Sequence, residues 1–307
     1  MHRSAANLPS LFLSFLLSAT VALLTGCDTV EPTEAPRLVV EAFFDTGRPL
    51  SAVVLRQTLP LDEATPSDSL FVVDANVVLT LDGKPIAYQH TPDQPGHYRA
   101  APPSSPSERA PFVLTVRWKQ QTLTTTGRMP PRIRIDSVDV RVPDQPVQAV
   151  LLDSLLAGID SLDLDTGVQQ GFVYPVVVTL WWETAFEETG LDSLYWVHPR
   201  LDPRISISSS LADYFLRTEQ LLRERTLARD ARQRRTWTGV YAVPVVSDTA
   251  SLPVHRLKVA LLRSGQDYAR FAASRDDPER REPVSNIPGG LGIATGISVD
   301  SLLLSVE

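Results

Sequence analysis

Cysteine is almost missing: Cys27 is the only one in 307 residues. A lone thiol excludes an intrachain disulfide framework and any multi-cysteine zinc site. Lysine is scarce too, so arginine carries nearly all the positive charge. With 36 acidic against 29 basic residues and a net charge of -7, the chain has no overall nucleic-acid footprint. Glycine (15) is outnumbered by proline (25), which suits turns and short strands better than long helices. Sequence signatures of catalysis are missing as well. There is no His-Glu-x-x-His, no Gly-x-Ser-x-Gly elbow and no glycine loop followed by Lys-Ser/Thr. His90, His97, His198 and His255 are widely spaced and read as strand or turn residues rather than ligands. Asp160, Asp163, Asp165 and Gly167 lack EF-hand spacing and a closing Glu, and read as an acidic loop. No catalytic residue, cofactor or metal is expected, and the reading is of a protein that is not an enzyme.

What is present begins at the N-terminus. Arg3 is the only charged residue before Asp28, and Leu11–Leu24 is apolar apart from Ser14, Ser18 and Thr20. That run falls short of the roughly 20 residues a membrane-spanning helix needs. It ends in Leu24-Thr25-Gly26-Cys27, which matches the bacterial lipoprotein signal: aliphatic, small, Gly, then Cys. The thiol would carry a thioether-linked diacylglycerol, and the small residues before it give a peptidase access. Residues 1–26 are therefore expected to be a lipoprotein signal peptide, with Cys27 the lipid-attachment site. More than one acyl chain, at about 0.8 kcal/mol per buried methylene, would anchor the protein stably. Residues 27–36 form a short acidic tether in which Pro32 and Pro36 favour extended backbone.

Beyond the tether the hydrophobic pattern is that of short strands. Arg37–Phe44, Leu50–Gln57, Asn76–Leu81, Lys84–His90, His97–Ala100, Phe112–Trp118 and Gln121–Thr126 are rich in β-favouring residues. Asp82-Gly83 between two of them is a hairpin signal. The spacing predicts an immunoglobulin-like β-sandwich over residues 37–128. Met129-Pro130-Pro131 reads as a hinge. A second β-rich domain over 129–307 follows, with strands at Ile133–Val142, Phe172–Trp182, Asp192–His198, Trp237–Val246, His255–Leu262 and Ile297–Val306. Residues 143–171 are the least patterned. The fold class is thus mainly β, with one inserted α-helix near 208–235. That helix is expected from the near-3.6 spacing of Leu211, Tyr214, Phe215, Leu221 and Leu222. Asp267–Ala273 could form a further short helix. Trp181 and Trp182 are adjacent, so on a strand they face opposite sides.

Two features are not needed to fill a sandwich core. One is the arginine-rich face of the expected helix, with Arg225, Arg229 and Arg232 pointing outward. The other is the loop around Asn286, Gly289 and Gly290. These six residues are the candidate partner-binding positions.

Several short motifs recur in a fixed order: Cys27, Leu38–Ala42, Asp74-Ala75-Asn76-Val77, Gly96-His97-Tyr98, Pro130-Pro131 before Ile135–Val138, Asn286–Gly292 and Thr295–Ser298. In this the chain resembles a large uncharacterised family of Bacteroidota outer-membrane lipoproteins known only as a domain of unknown function. Members tend to be encoded beside TonB-dependent receptors. Ala75 stands where the family usually has Gly. The resemblance brings no catalytic residues. It implies a lipid-anchored protein of the cell outer membrane, a non-enzymatic accessory or ligand-capture partner of a TonB-dependent transporter. The partners expected are the membrane, through the lipid anchor, and an outer-membrane β-barrel receptor, with no nucleic acid. The alternative is a structural or adhesive envelope module.

Overall fold

A computed structural model describes residues 36–59, 70–148, 171–183, 194–205, 217–275, 277–280 and 282–307. The described residues of 37–58 and of 70–307 form one compact unit. The first half contains β1 (Leu38–Asp45), β2 (Val53–Gln57), β3 (Asn76–Leu81), β4 (Lys84–His90), β5 (His97–Ala101), β6 (Pro111–Trp118) and β7 (Gln121–Arg128). Then come β8 (Ile135–Arg141), β9 (Val147–Gln148), β10 (Phe172–Trp182), β11 (Trp196–Arg204) and β12 (Leu222–Arg223). The chain ends with β13 (Arg235–Val245), β14 (His255–Ser264), helix α1 (Gln266–Arg275) and β15 (Leu291–Val306). The protein is mainly β, as the strand-like pattern of its sequence implies.

Eleven strands form one sheet in the order β12-β11-β14-β15-β1-β2-β5-β4-β3-β6-β7. Every neighbouring pair is antiparallel except β1 and β15, which run parallel from Val39↔Leu291 to Asp45↔Ile297. A second sheet has the order β13-β10-β8, with β9 also on β10. The Asp82-Gly83 turn joins β3 to β4 with both φ angles positive, 51° and 78°, the geometry of a two-residue hairpin loop.

Alternation along the strands builds two hydrophobic clusters. In the first, Leu38, Val40, Ala42 and Phe44 of β1 meet Leu79, Phe112, Leu114 and Leu123. In the second, Val176, Val178, Leu180 and Trp182 of the small sheet meet Val197, Leu257, Val259 and Leu261 of the large one. Each such side chain contributes on the order of 1.5–3 kcal/mol on full burial. The opposite face of β11, β14, β15 and β1 is where α1 lies.

Met129 belongs to the first cluster and Ile133 to the second. Ile287 and Ala294 from the C-terminal half nevertheless belong to the first cluster, and β15 runs beside β1. Nor is Met129-Pro130-Pro131 loose. All three are buried. Met129 exchanges backbone hydrogen bonds with Ala110 and Arg109, and Thr46 Oγ1 donates to the Pro130 carbonyl at 2.7 Å. Arg263 donates to the Pro131 and Arg132 carbonyls, and Ile133 N–H donates to Ser298 Oγ at 3.0 Å. Prolines there lack N–H groups, but their carbonyls fasten the strap.

The expected helix near 208–235 is not formed where it is described. Residues 206–216, with Leu211, Tyr214 and Phe215, lie outside the described residues. From 217 onward the chain makes bridges Arg217↔Val240 and Arg200↔Glu219, then β12, then a single 3₁₀ turn at Glu224–Thr226. Glu224 in that turn is fully buried against Arg263. A continuous helix would break the pairing of Leu222 with Val197 and withdraw Glu224 from its partner, so tertiary contacts override the local spacing. The α-helix among the described residues is α1, at the second and shorter position the sequence suggested.

Candidate functional site

The family-like motifs are structural pins. Ala75 N–H donates to Tyr98 Oη at 2.9 Å, Tyr98 O–H donates to the Val72 carbonyl at 3.1 Å, and Trp118 Nε1–H donates to Asp74 at 2.8 Å. Thus Asp74–Val77 and Gly96–Tyr98 clasp each other. Asn286 plays a similar part. Its side chain donates to the Ala294 carbonyl and accepts from the Ala294 N–H, both at 2.9 Å, and its carbonyl accepts from Thr125 Oγ1 at 2.8 Å. Of the loop residues expected to meet a partner, Asn286 is half-buried and tied to β15, Gly290 is buried beside Leu123, and Gly289 is exposed at the turn.

Arg225, Arg229 and Arg232 are all exposed, though on an irregular segment rather than a helix face. Their neighbours are committed: the Arg223 guanidinium lies 5.1 Å from the Trp196 ring centre, and Arg234 pairs with Asp230 at 2.7 Å and with Asp136. Trp182 is buried while Trp181 is half-exposed beneath Arg234, as adjacency on a strand requires. Cys27 and the acidic stretch 160–167 lie outside the described residues. Among the described residues no group of three or more His, Cys, Asp or Glu side chains is placed to hold a metal ion. No described helix is long and apolar enough to cross a membrane.

A cleft sits elsewhere, on the face of the large sheet that carries α1. Helix α1 has Asp267 in its first turn and Arg275 in its last, both favourable to the helix dipole. Tyr268, Phe271, Ala272 and Arg275 fall at i, i+3, i+4 and i+7, one stripe of the helix, and that stripe faces the sheet. Across from it stand His198 and Arg200, two apart on β11 and therefore on the same side, with Phe43 of β1, Leu262 of β14 and Ile297 of β15. The cleft is open to solvent on one side and has a volume of about 500 Å³. Phe43 makes edge contacts with both Tyr268 and Phe271, ring centres 6.3 Å apart in each case.

The polar side of the cleft is a linked chain of groups. Arg200 Nε lies 2.9 Å from Glu219, His198 Nε2 lies 3.4 Å from the same carboxylate, and His198 Nδ1 is 3.0 Å from Tyr268 Oη. Burial holds the His198 imidazole below its ordinary range; Arg200 acts in the same direction and Glu219 opposes it. Burial also raises the Tyr268 phenol above its usual value. At neutral pH the pair is therefore uncharged. With Glu219 accepting from Nε2–H, Nδ1 accepts from the Tyr268 hydroxyl. The cleft thus offers a neutral polar wall, an aromatic wall and the guanidinium of Arg275 at its rim.

In the sequence His198 reads as an ordinary strand residue, and Arg200, Glu219, Tyr268 and Arg275 belong to no recognised motif. The i, i+3, i+4, i+7 stripe of α1 was the one available signal, since a mixed aromatic and charged stripe on a short helix is unlike a plain core face.

Residues 27–174 match a family model described as Domain of unknown function (DUF4249). Over that stretch the chain is similar to an uncharacterised family. The match begins at Cys27 and ends within β10, so Phe43 alone of the cleft residues falls inside it. No curated protein and no solved structure matches the chain.

Proposed function

We propose that the chain is a lipid-anchored cell-envelope protein, attached through Cys27 to the outer membrane of a Bacteroidota cell. There it acts as a non-enzymatic accessory or ligand-capture partner of a TonB-dependent transporter. The observation that carries the anchoring is the junction at residue 27. The Leu24-Thr25-Gly26-Cys27 box ends there, and the match to the family model starts at that same residue. The first strand then begins only eleven residues later, at Leu38, after the Pro-containing tether. A fold dominated by two sheets, with a solvent-open cleft of about 500 Å³, suits binding.

Metabolic labelling with a fatty-acid probe tests the anchor. The native chain should label and Cys27→Ser should not; a labelled Cys27→Ser chain refutes the assignment. Co-purification of a β-barrel receptor from native outer membranes tests the partner. Reversing Arg225, Arg229 and Arg232 to Glu should reduce that recovery, most at low salt, and leave thermal stability nearly unchanged. Recovery that survives the triple reversal removes these arginines from the interface.

A further inference from the structure

We infer that the cleft between α1 and the large sheet binds a small carboxylate carrying a flat apolar body, such as an arylacetate. The inference rests on the ligand-capture half of the proposed function and is independent of the anchor.

The volume, about 500 Å³, is in the range of small-molecule sites, roughly 300–1,000 Å³. Its apolar side is built from two strands and a helix: Phe43 and Ile297 from the sheet, Phe271 and Ala272 from α1. Phe43 and Phe271 meet at 62°, edge to face, and both line the cleft. That is a surface for a planar apolar group.

Charge selects the other end of the ligand. The cleft holds two guanidiniums, Arg200 and Arg275, against one carboxylate, Glu219. Glu219 Oε2 is engaged by Arg200 at 2.9 Å and lies 3.4 Å from His198, so the carboxylate's charge is balanced within the cleft and Arg275 is left as the net positive charge. Arg275 stands on the same helical stripe as Phe271, one turn further on, at the exposed rim. A carboxylate one or two bonds from a ring would reach it while the ring lies on Phe271. Guanidinium and carboxylate match in planar, two-point geometry. His198 and Tyr268 satisfy each other at 3.0 Å and present an uncharged polar wall beside the ring.

Phenylacetate, phenethylamine and benzyl alcohol separate the contributions, each titrated calorimetrically into the full chain. Phenylacetate should bind one to one, at least tenfold more tightly than phenethylamine, which has the same ring and the opposite charge. Arg275→Gln, an exposed substitution, should weaken phenylacetate at least fivefold and leave benzyl alcohol unchanged. Ala272→Phe should fill the cleft and weaken all three; a circular dichroism melt of each variant establishes that it is folded. The inference is overturned if phenylacetate does not saturate, if phenethylamine binds as tightly, or if Arg275→Gln has no effect. A chain that still labels with fatty acid and recovers its receptor but binds no phenylacetate refutes this inference alone. One that binds phenylacetate but recovers no receptor refutes only the transporter reading.

Discussion

Glu224 and Arg263 form an ion pair with no solvent exposure on either side chain, at the seam between the two hydrophobic clusters. Arg263 Nε donates to Glu224 Oε2 at 2.8 Å and a second guanidinium nitrogen reaches Oε1. Trp182 Nε1–H donates to the same carboxylate at 3.1 Å, and Arg263 Nη1 donates to the Arg132 carbonyl at 2.8 Å. One pair therefore ties the 3₁₀ turn, β14, β10 and the strap at residues 131–132. Removing either partner leaves the other charge buried. Arg263→Met and Glu224→Gln are each expected to lose about 3–5 kcal/mol in urea unfolding. The double variant Glu224→Gln/Arg263→Met should recover part of that loss. Additive losses would show that the two residues do not act as a pair.

Gly292 lies where β15 first runs beside β1. Its φ is +96°, and a β-carbon there would fall on the Val40 carbonyl oxygen, which is backbone and cannot swing aside. Gly83 has a similar φ, +78°, but an added β-carbon would meet nothing within 4 Å. Gly83→Ala should therefore cost about 1 kcal/mol, for conformation alone. Gly292→Ala should cost clearly more and reduce the yield of folded protein. Equal effects on chemical denaturation would mean that the parallel β1–β15 seam gives way easily.

These residues also show why the sequence was only partly legible. Strands with strict alternation, such as Leu38–Phe44 and Phe112–Trp118, announce themselves because one face of each is buried. The Asp82-Gly83 hairpin is legible because its turn chemistry is local. The β1–β15 pairing joins residues some 250 positions apart, and no local pattern encodes it. Glu224 falls within the span 208–235 where a helix is expected; its burial depends on Arg263, 39 positions away. The cleft is hidden for the same reason, since β1, β11, β14, β15 and α1 each contribute one or a few residues.

His198 should make stability depend on pH. Its folded pKa lies below the ordinary value of 6.5, chiefly through burial, with Arg200, Glu219, Tyr268 and Arg275 around it. As pH falls through about 6.5 the unfolded chain takes up a proton first, so the native state loses stability until its own lower pKa is reached. The contribution is intact above that window and lost within it. His198→Gln should flatten the fall in Tm between about pH 7 and 5. The ring resonances of native His198 should titrate below the ordinary range. A titration at or above 6.5 would show that the imidazole is better solvated than its contacts imply.

The fate of a fragment follows from where the first cluster finds its last side chains. Residues 37–128 contain β1 to β7, but β1 takes its parallel partner from β15, over seven aligned pairs. Ile287 and Ala294 fill the same core from the C-terminal side, and Met129 seals it from just beyond the fragment. A chain ending at residue 128 would leave β1 as an unpaired edge with apolar residues behind it, a surface that invites association. We expect residues 37–128 to be aggregated or molten, with little near-ultraviolet circular dichroism. Adding residues 282–307 in trans, as a peptide, should restore a cooperative melt by supplying β15. A fragment that melts cooperatively as a monomer without the peptide would show that the first cluster is a domain in its own right and that β15 docks onto a finished core.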